Sequence, residues 1–469
     1  MLYLLIAGLA VAAVIYLIVK KVNAAASIFF VGVILLMVAA MLGKAQPSVK
    51  ITPSGNSFYD ELLVVEALFK SRFSGIGMAI MVLFGFVAYM RHIGADAKAV
   101  VVLSKPLQHF EGSYWMVPIG YLIGSLLSLV VPSASALSLL LIATLLPALI
   151  AAGLTPLTVG AIVVTSSTII PTPLEAGLIQ GAKLTGLPIS EFVFGHVARA
   201  TVPTLVITAF VHMWWQHHCD KVDAARSVAT AGDSAVIETH ASVEEALQRA
   251  KGLPGFYAIL PLLPLLLIVL SAILKNLHVI PFEAEILPVT VASMLITLII
   301  EVIRHRDVVK TIDSTKSFFT GMGEGAAGVV ALLVAAAVLI EGITQLGIID
   351  MLIRATEGSS GAAVIVVLIF VAATAIMATL TGSGTAPYFA FAEVVPKLAA
   401  ETGIQPVQML NAIWGTSNLM RQVSPVNAAV LIVSGAINVN PIRLVKRTAV
   451  PMIVATILNV VFTFLFIAA

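Results

Sequence analysis

Thr165-Ser-Ser-Thr-Ile-Ile-Pro-Thr-Pro-Leu-Glu175 and Gly415-Thr-Ser-Asn-Leu-Met-Arg-Gln-Val-Ser-Pro-Val-Asn427 are two polar runs set inside long apolar sequence. Each interrupts what would otherwise be a spanning helix. Each also offers a helix restart, Thr172-Pro173-Leu-Glu175 in one and Ser424-Pro425-Val-Asn427 in the other, read as N-cap, proline at N1 and a polar residue at N3. Backbone stripped of helical partners is tolerated at membrane depth only where protein buries it or a cavity exposes it. What these interruptions surround therefore decides the fold.

The rest of the chain supplies the membrane. Of 469 residues, 59% are apolar and 11% charged, against roughly 25% charged in a soluble domain, which excludes a soluble enzyme. Runs of about 20 apolar residues, the length that crosses a hydrocarbon core, recur at Leu2–Val19, Ala26–Leu42, Phe73–Met90, Phe194–Met213, Phe256–Leu274, Ile286–Ile303, Ala326–Leu346 and Val450–Ala469. The first has no positive residue before it and Lys20-Lys21 after it, so it reads as a retained span with the N-terminus outside rather than a signal peptide. With 26 basic and 24 acidic residues, no charge excess points to nucleic acid, and one cysteine, Cys219, supports neither a disulfide nor a zinc reading.

Only His212 to Lys251 has soluble composition, with ten charged residues. It reads as a cytoplasmic linker, 214–253, between two halves. His212, His217 and His218 could hold a metal there; a solvated flank beside Trp214 and Trp215 at the interface is the plainer reading. The halves repeat. Lys70-Ser-Arg-Phe-Ser-Gly-Ile-Gly77 matches Lys316-Ser-Phe-Phe-Thr-Gly-Met-Gly323 with five identities in eight at an offset of 246. Gly94 answers Gly347, Gly153-Leu-Thr-Pro156 answers Gly403-Ile-Gln-Pro406, and Thr165–Thr168 answers Gly415–Asn418 at an offset of 250. Counting Lys and Arg on the two sides puts 16 inside and six outside when the first half starts outside and the second inside. The repeats are then inverted, a signature of secondary transporters. The expected fold class is an all-α polytopic membrane protein of two inverted repeats, each with spanning helices, a re-entrant hairpin and a broken helix. Its parts are first scaffold helices and arm (1–72), first transport part (73–213), linker (214–253), second scaffold helices and arm (254–320) and second transport part (321–469), with both termini outside.

Two further interruptions have the form of hairpin tips, Val131-Pro-Ser-Ala-Ser-Ala136 and Thr381-Gly-Ser-Gly-Thr-Ala-Pro387. Helix N-termini at the tips and breaks carry about half a positive charge each, so four supply roughly +2. That suits a dianion held by N–H groups and hydroxyls, with no metal or cofactor. Ser133, Ser135, Ser167, Thr168, Ser383, Thr385, Ser417 and Asn418 are the expected binding residues, with hydroxyls that merely join helix to helix as the bland alternative. Arg421, inside the second break, could bind a carboxylate as a two-donor fork or form a structural ion pair. Glu175 is the candidate coupling carboxylate, although its place near a helix start also suits a cap. Glu393 and Lys397, one turn apart, read as a pair.

Phe84-Gly-Phe-Val-Ala-Tyr-Met-Arg-His-Ile-Gly94, Leu103-Ser-Lys-Pro-Leu107, Thr381-Gly-Ser-Gly384, Phe391-Ala-Glu-Val-Val-Pro-Lys-Leu398, Ser417-Asn-Leu419, Arg421 with Ser424-Pro425, and Val445-Lys-Arg-Thr448 resemble the anaerobic C4-dicarboxylate carriers of the DcuC type. The resemblance spans nearly the whole chain and extends to the ion-transporter superfamily. It implies a homodimer with a fixed scaffold and a moving elevator domain. It also implies import, efflux or exchange of fumarate, succinate, malate or aspartate across a bacterial inner membrane. Where such carriers tend to read Pro-Thr-Ser-Gly-Asp, this chain has Pro171-Thr-Pro-Leu-Glu175, and its first tip lacks the expected threonine and glycine. No acidic residue sits at a tip, which favours proton coupling or exchange over sodium. A sodium-coupled or other carboxylate or oxyanion permease, or a cation antiporter, on the same architecture is the alternative. A channel would not need repeat-matched polar tips. A hydrolase is not expected, since Thr381-Gly-Ser-Gly384 lacks a glycine two before the serine and no HExxH occurs.

Overall fold

The computed structural model describes residues 2–20, 22–104, 114–151, 153–227, 247–248, 250–347 and 362–467. Most of the expected linker with His240, and the segments holding Lys105 and Arg354, lie outside the described residues. Every regular element among the described residues is helical. The first half comprises α1 (Leu2–Val19), α2 (Ala24–Met41), α3 (Ser57–Arg72), α4 (Met78–Ile93), α5 (Ala95–Ser104), α6 (Met116–Leu127), α7 (Ala134–Ala151), α8 (Pro156–Thr165), α9 (Ala176–Thr185) and α10 (Ala198–Ser227). The second comprises α11 (Leu263–Asn276), α12 (Ile286–His305), α13 (Val308–Ser314), α14 (Lys316–Gly325), α15 (Ala331–Gln345), α16 (Ala362–Thr381), α17 (Thr385–Ala392), α18 (Val395–Thr402), α19 (Pro406–Met420), α20 (Ala428–Ala436) and α21 (Pro441–Phe466).

Eight helical stretches among the described residues are long and apolar enough to cross a membrane. Seven contain apolar runs read from the sequence; the eighth, Val364–Thr381, is the arm leading to the second tip, and Leu2–Val19 forms the 18-residue α1. The chain is a polytopic membrane protein. On α12, Val291, Leu295, Ile299 and Ile303 are all exposed. Their spacing of four puts them in one row along the helix, the pattern of a face turned to lipid.

Close glycine contacts mark two of the helix pairs that join the halves. A Cβ on Gly32 would lie 2.6 Å from the backbone nitrogen of Leu339, and one on Gly342 2.7 Å from the Leu35 Cβ, so α2 and α15 touch nearly backbone to backbone. Gly85 and Gly321 do the same for α4 and α14, against the Phe318 carbonyl at 2.8 Å and the Ala88 Cβ at 2.4 Å. Both long helices shift register through a π-helical turn, Phe73–Gly77 between α3 and α4 and Ala326–Val330 between α14 and α15. These turns touch each other, with Gly77 facing the Val330 side chain. They begin 253 residues apart, seven more than the offset of 246 at which the two sequence stretches match.

The helices α6 to α9 and α16 to α20 hold the interruptions. α6 and α7 meet at residues 128–133, α16 and α17 at 382–384, α8 and α9 are separated by 166–175, and α19 and α20 by 421–427. Left-handed turns recur at matching points: Gly153 and Gly403 (φ 96° and 73°), then Gly186 and Asn438 (φ 70° and 50°), asparagine being a non-glycine residue that tolerates this conformation. α10 and α21 lie together and are tied by Arg447, whose guanidinium donates to Asp220 at 2.7 Å and Asp223 at 2.6 Å. Glu393 pairs with Arg72 at the end of α3 (2.8 Å) and accepts from the Gln180 amide (2.8 Å); the ion pair expected from sequence was with Lys397. Partners 321 and 213 residues away in sequence reach the buried carboxylate, which local spacing does not reveal.

Candidate functional site

Both helix restarts fall three residues later than the sequence reading. Glu175, not Thr172, caps α9, its carboxylate accepting from the Leu178 N–H at 2.8 Å; Asn427, not Ser424, caps α20, accepting from Ala429 and Val430. Thr172-Pro-Leu-Glu175 and Ser424-Pro-Val-Asn427 are instead tight turns. The Glu175 N–H returns to the Thr172 carbonyl (3.3 Å) and that of Asn427 to the Ser424 carbonyl (3.2 Å). Proline sits second in each, where its fixed φ suits a turn. The hydroxyls of Thr172 and Ser424 accept from the N–H two residues on.

The second tip is fastened to the second break. Ser417 donates to the Gly384 carbonyl at 2.5 Å, and the Asn427 amide donates to the Gly382 carbonyl at 2.8 Å. Gly382 has φ +68° with the Asn427 backbone 2.7 Å from where a Cβ would stand, so only glycine fits. Ser383 turns inward to accept from the Ala386 N–H (3.2 Å) beside Thr385 (3.4 Å). At the first tip, Ser133 accepts from Ala136 at the start of α7. The two breaks are joined by Arg421, which donates to the Ser167 carbonyl at 2.8 Å; Gln422 donates to the same carbonyl at 2.9 Å.

A cavity of about 480 Å³ opens between these parts and α4. One wall carries Pro132 to Ser135 from the first tip, Gly382 to Thr385 from the second, Leu174, Arg421, and Asn427 to Ala429 at the start of α20. The other wall is the α4 face of Phe84, Val87, Ala88 and Arg91, with Glu324 from α14. Of the sequence candidates, Ser133, Ser135, Ser383, Thr385 and Arg421 line this space. Ser167, Ser417 and Asn418 stand behind the lining: Ser167 holds Arg421, Ser417 holds the second tip, and Asn418 touches Gly384. Thr168 is buried in the first break, its hydroxyl without a hydrogen-bond partner among the described residues. Glu175 is also behind the wall, its carboxylate shared between the Leu178 N–H and the Trp414 indole, 2.8 Å each.

Three helix N-termini therefore face the cavity, those of α7, α17 and α20, where four were expected. The fourth, α9, is closed by its own Glu175 carboxylate, which takes up the N–H groups and cancels the positive end. The three supply roughly +1.5 by the half-charge rule, to which Arg421 adds a full charge. Such a wall is electrostatically complementary to an anion.

The sequence profile of the family described as DcuC, C4-dicarboxylate anaerobic carrier, matches residues 2–468. The chain belongs to the DcuC family. Its relatives in Escherichia coli (strain K12) and Shigella flexneri, each named Anaerobic C4-dicarboxylate transporter DcuC, are 34% identical over 463 residues, covering 98% of this chain and 96% of theirs. A relative from Vibrio cholerae is 31% identical over 465 residues, 99% of this chain and 97% of its own. Among solved structures, Neisseria gonorrhoeae MtrF, reported as illuminating a class of antimetabolite efflux pumps, is similar in fold with a TM-score of 0.56 at 11% identity over 97% of both chains.

In this DcuC family member the sequence reading missed three lining residues with polar or charged side chains. Asn427 was visible as part of a restart but assigned to the third position of its helix. Arg91 and Glu324 carry no local signal, since charges near span ends read as topology determinants; only the spacing 84, 87, 88, 91 on one helical face marks the wall they belong to.

Proposed function

We propose that this chain is a secondary active carrier of C4-dicarboxylates such as fumarate, succinate, malate and aspartate across the bacterial inner membrane. The observation that carries this is the asymmetric cavity, whose one wall combines the Arg421 guanidinium, three helix N-termini and the hydroxyls of Ser133, Ser135, Ser383 and Thr385 without a carboxylate. An arginine fork takes one carboxylate, and N–H groups with hydroxyls take the other. The DcuC relatives carry the same substrate class in their names, which supports the assignment.

In this reading the two halves are inverted repeats with both termini outside. The tips and breaks, within 73–213 and 321–469, move as an elevator against the scaffold of 1–72 and 254–320, in a homodimer, with 214–253 as cytoplasmic linker. Transport is proton-coupled or an exchange, with Glu175 as the coupling carboxylate. The test is counterflow of labelled fumarate into proteoliposomes preloaded with competitors, repeated under imposed sodium or pH gradients. Saturable counterflow driven by dicarboxylates, and not by mono- or tricarboxylates, is expected. Flux that fails to saturate, or that needs a sodium gradient and ignores pH, overturns the carrier or its coupling respectively.

A further inference from the structure

The wall opposite the tips carries charges that the binding site does not use. Phe84, Val87, Ala88 and Arg91 follow one face of α4, and the cavity extends along it from Leu83 to Arg91, eight residues or about 12 Å at 1.5 Å per residue. Leu83 and Phe84 lie toward the apolar middle of the helix; Arg91 stands in its last turn, at the rim. The close contact of Gly85 and Gly321 sets α14 tightly against α4, which brings Glu324 to the same cavity. Arg91 and Glu324 are both exposed, and neither has a hydrogen bond or ion pair among the described residues. Charged side chains at a cavity rim without partners keep their field directed into the opening, where low-dielectric walls focus it and salt screens it little at distances shorter than the Debye length of about 8 Å.

We infer that Arg91 is a specificity-determining residue at the mouth of this cavity: it draws dianionic substrate from the cytoplasm toward Arg421, and Glu324 on the facing helix tempers that attraction. The inference rests on the dicarboxylate reading above and on the cytoplasmic end of α4, and deepens both. Arg421 belongs to the wall formed by the tips and breaks, whereas Arg91 belongs to the α4 wall. In the elevator reading α4, which packs on α14 and on α12 of the scaffold, stays with the scaffold although it falls within 73–213, so the two walls move relative to each other and Arg91 faces substrate in the cytoplasm-facing state only. Its effect must therefore be sided.

The experiment compares labelled succinate transport entering from the cytoplasmic face, in inverted membrane vesicles, with entry from the outer face, in right-side-out vesicles. Arg91→Gln is expected to raise KM about tenfold for cytoplasmic entry, with Vmax per carrier unchanged and outer-face KM within twofold of wild type. Arg91→Lys, which keeps the charge, should restore cytoplasmic KM to within about twofold, and Glu324→Gln should lower it. Raised ionic strength should narrow the difference between wild type and Arg91→Gln. A residue serving only to fix membrane orientation would instead reduce carrier abundance and leave KM unchanged for both faces. That result, or a KM raised equally on both faces, overturns the inference. Wild-type vesicles that carry no succinate from either face would overturn the dicarboxylate reading itself, which separates the two failures.

Discussion

Replacing Arg421 by lysine tests the site most directly, because the structure separates its binding role from its structural one. Its guanidinium lines the cavity and donates to the Ser167 carbonyl at 2.8 Å, while Gln422 donates to that carbonyl at 2.9 Å. Removing the arginine contact thus leaves no orphaned acceptor, and lysine keeps the positive charge within electrostatic reach of the buried Glu175 carboxylate. The folding cost should be small. The binding cost should not be. Lysine keeps the charge but offers a point donor in place of a planar fork. Losing one charge-assisted hydrogen bond to a substrate carboxylate costs about 1.5–3 kcal/mol, which is roughly 10- to 150-fold in Kd at 1.4 kcal/mol per decade. Arg421→Ala should lose more, since the charge goes too. The assay is equilibrium binding of labelled fumarate to purified protein in detergent, with the melting temperature followed in parallel. Both variants should melt within a few degrees of wild type and bind weakly. Wild-type affinity in both would refute the reasoning and leave Arg421 as a brace between the two breaks.

Gly384→Ala puts a methyl 2.7 Å from the Asn418 side-chain oxygen and 2.8 Å from the Arg421 Cδ; overpacking of this kind costs about 1–3 kcal/mol, and because a side chain lining the cavity must move, KM should rise more than the melting temperature falls. Glu175→Gln keeps an acceptor for the Leu178 N–H and the Trp414 indole, so the protein should fold and exchange substrate; if Glu175 carries the coupling proton, uptake driven by a pH gradient is lost while counterflow persists, and equal loss of both identifies it as a cap alone. Arg447→Ala leaves Asp220 and Asp223 together beside a buried position, at a cost of about 3–5 kcal/mol for a broken buried pair. Its melting temperature in detergent should fall sharply, and the fraction that remains folded should bind fumarate with wild-type affinity.

The sequence carried the spans, the tips and the breaks because each is a contrast of composition at a scale the chain cannot disguise: a polar run of about ten residues inside apolar helices has few physical uses. It did not carry the register within each break. Thr172-Pro-Leu-Glu175 satisfies the rules for a capped helix start and those for a proline turn equally well, and the choice is made by partners far away in sequence, the Trp414 indole for Glu175 and the Gly382 carbonyl for Asn427. The same limit governs which hydroxyls face the cavity. Ser383 and Ser417 are chemically alike, yet one lines the space and the other holds the tip in place.

What the paired breaks add is a direction. Residues 252 positions apart occupy matching places in the two turns, Thr172 with Ser424, Pro173 with Pro425 and Glu175 with Asn427. At that offset Arg421 corresponds to Ile169, and the capping carboxylate of one half to the capping amide of the other. Two breaks with the same turn chemistry thus differ in charge: α9 starts on a carboxylate cap, whereas α20 starts on the neutral Asn427 cap and follows a break that holds the Arg421 guanidinium against the Ser167 carbonyl. A symmetric anion in a symmetric site would bind equally well either way round. In the proposed dicarboxylate reading, the α20 helix start and the Arg421 guanidinium, the one cation on that wall among the described residues, both lie in the second half, so one carboxylate would go to Arg421 and the other to the hydroxyls and N–H groups of the tips. A site of that form asks for a second carboxylate on a short spacer but is lenient about what lies between, as a carrier that accepts several four-carbon diacids requires.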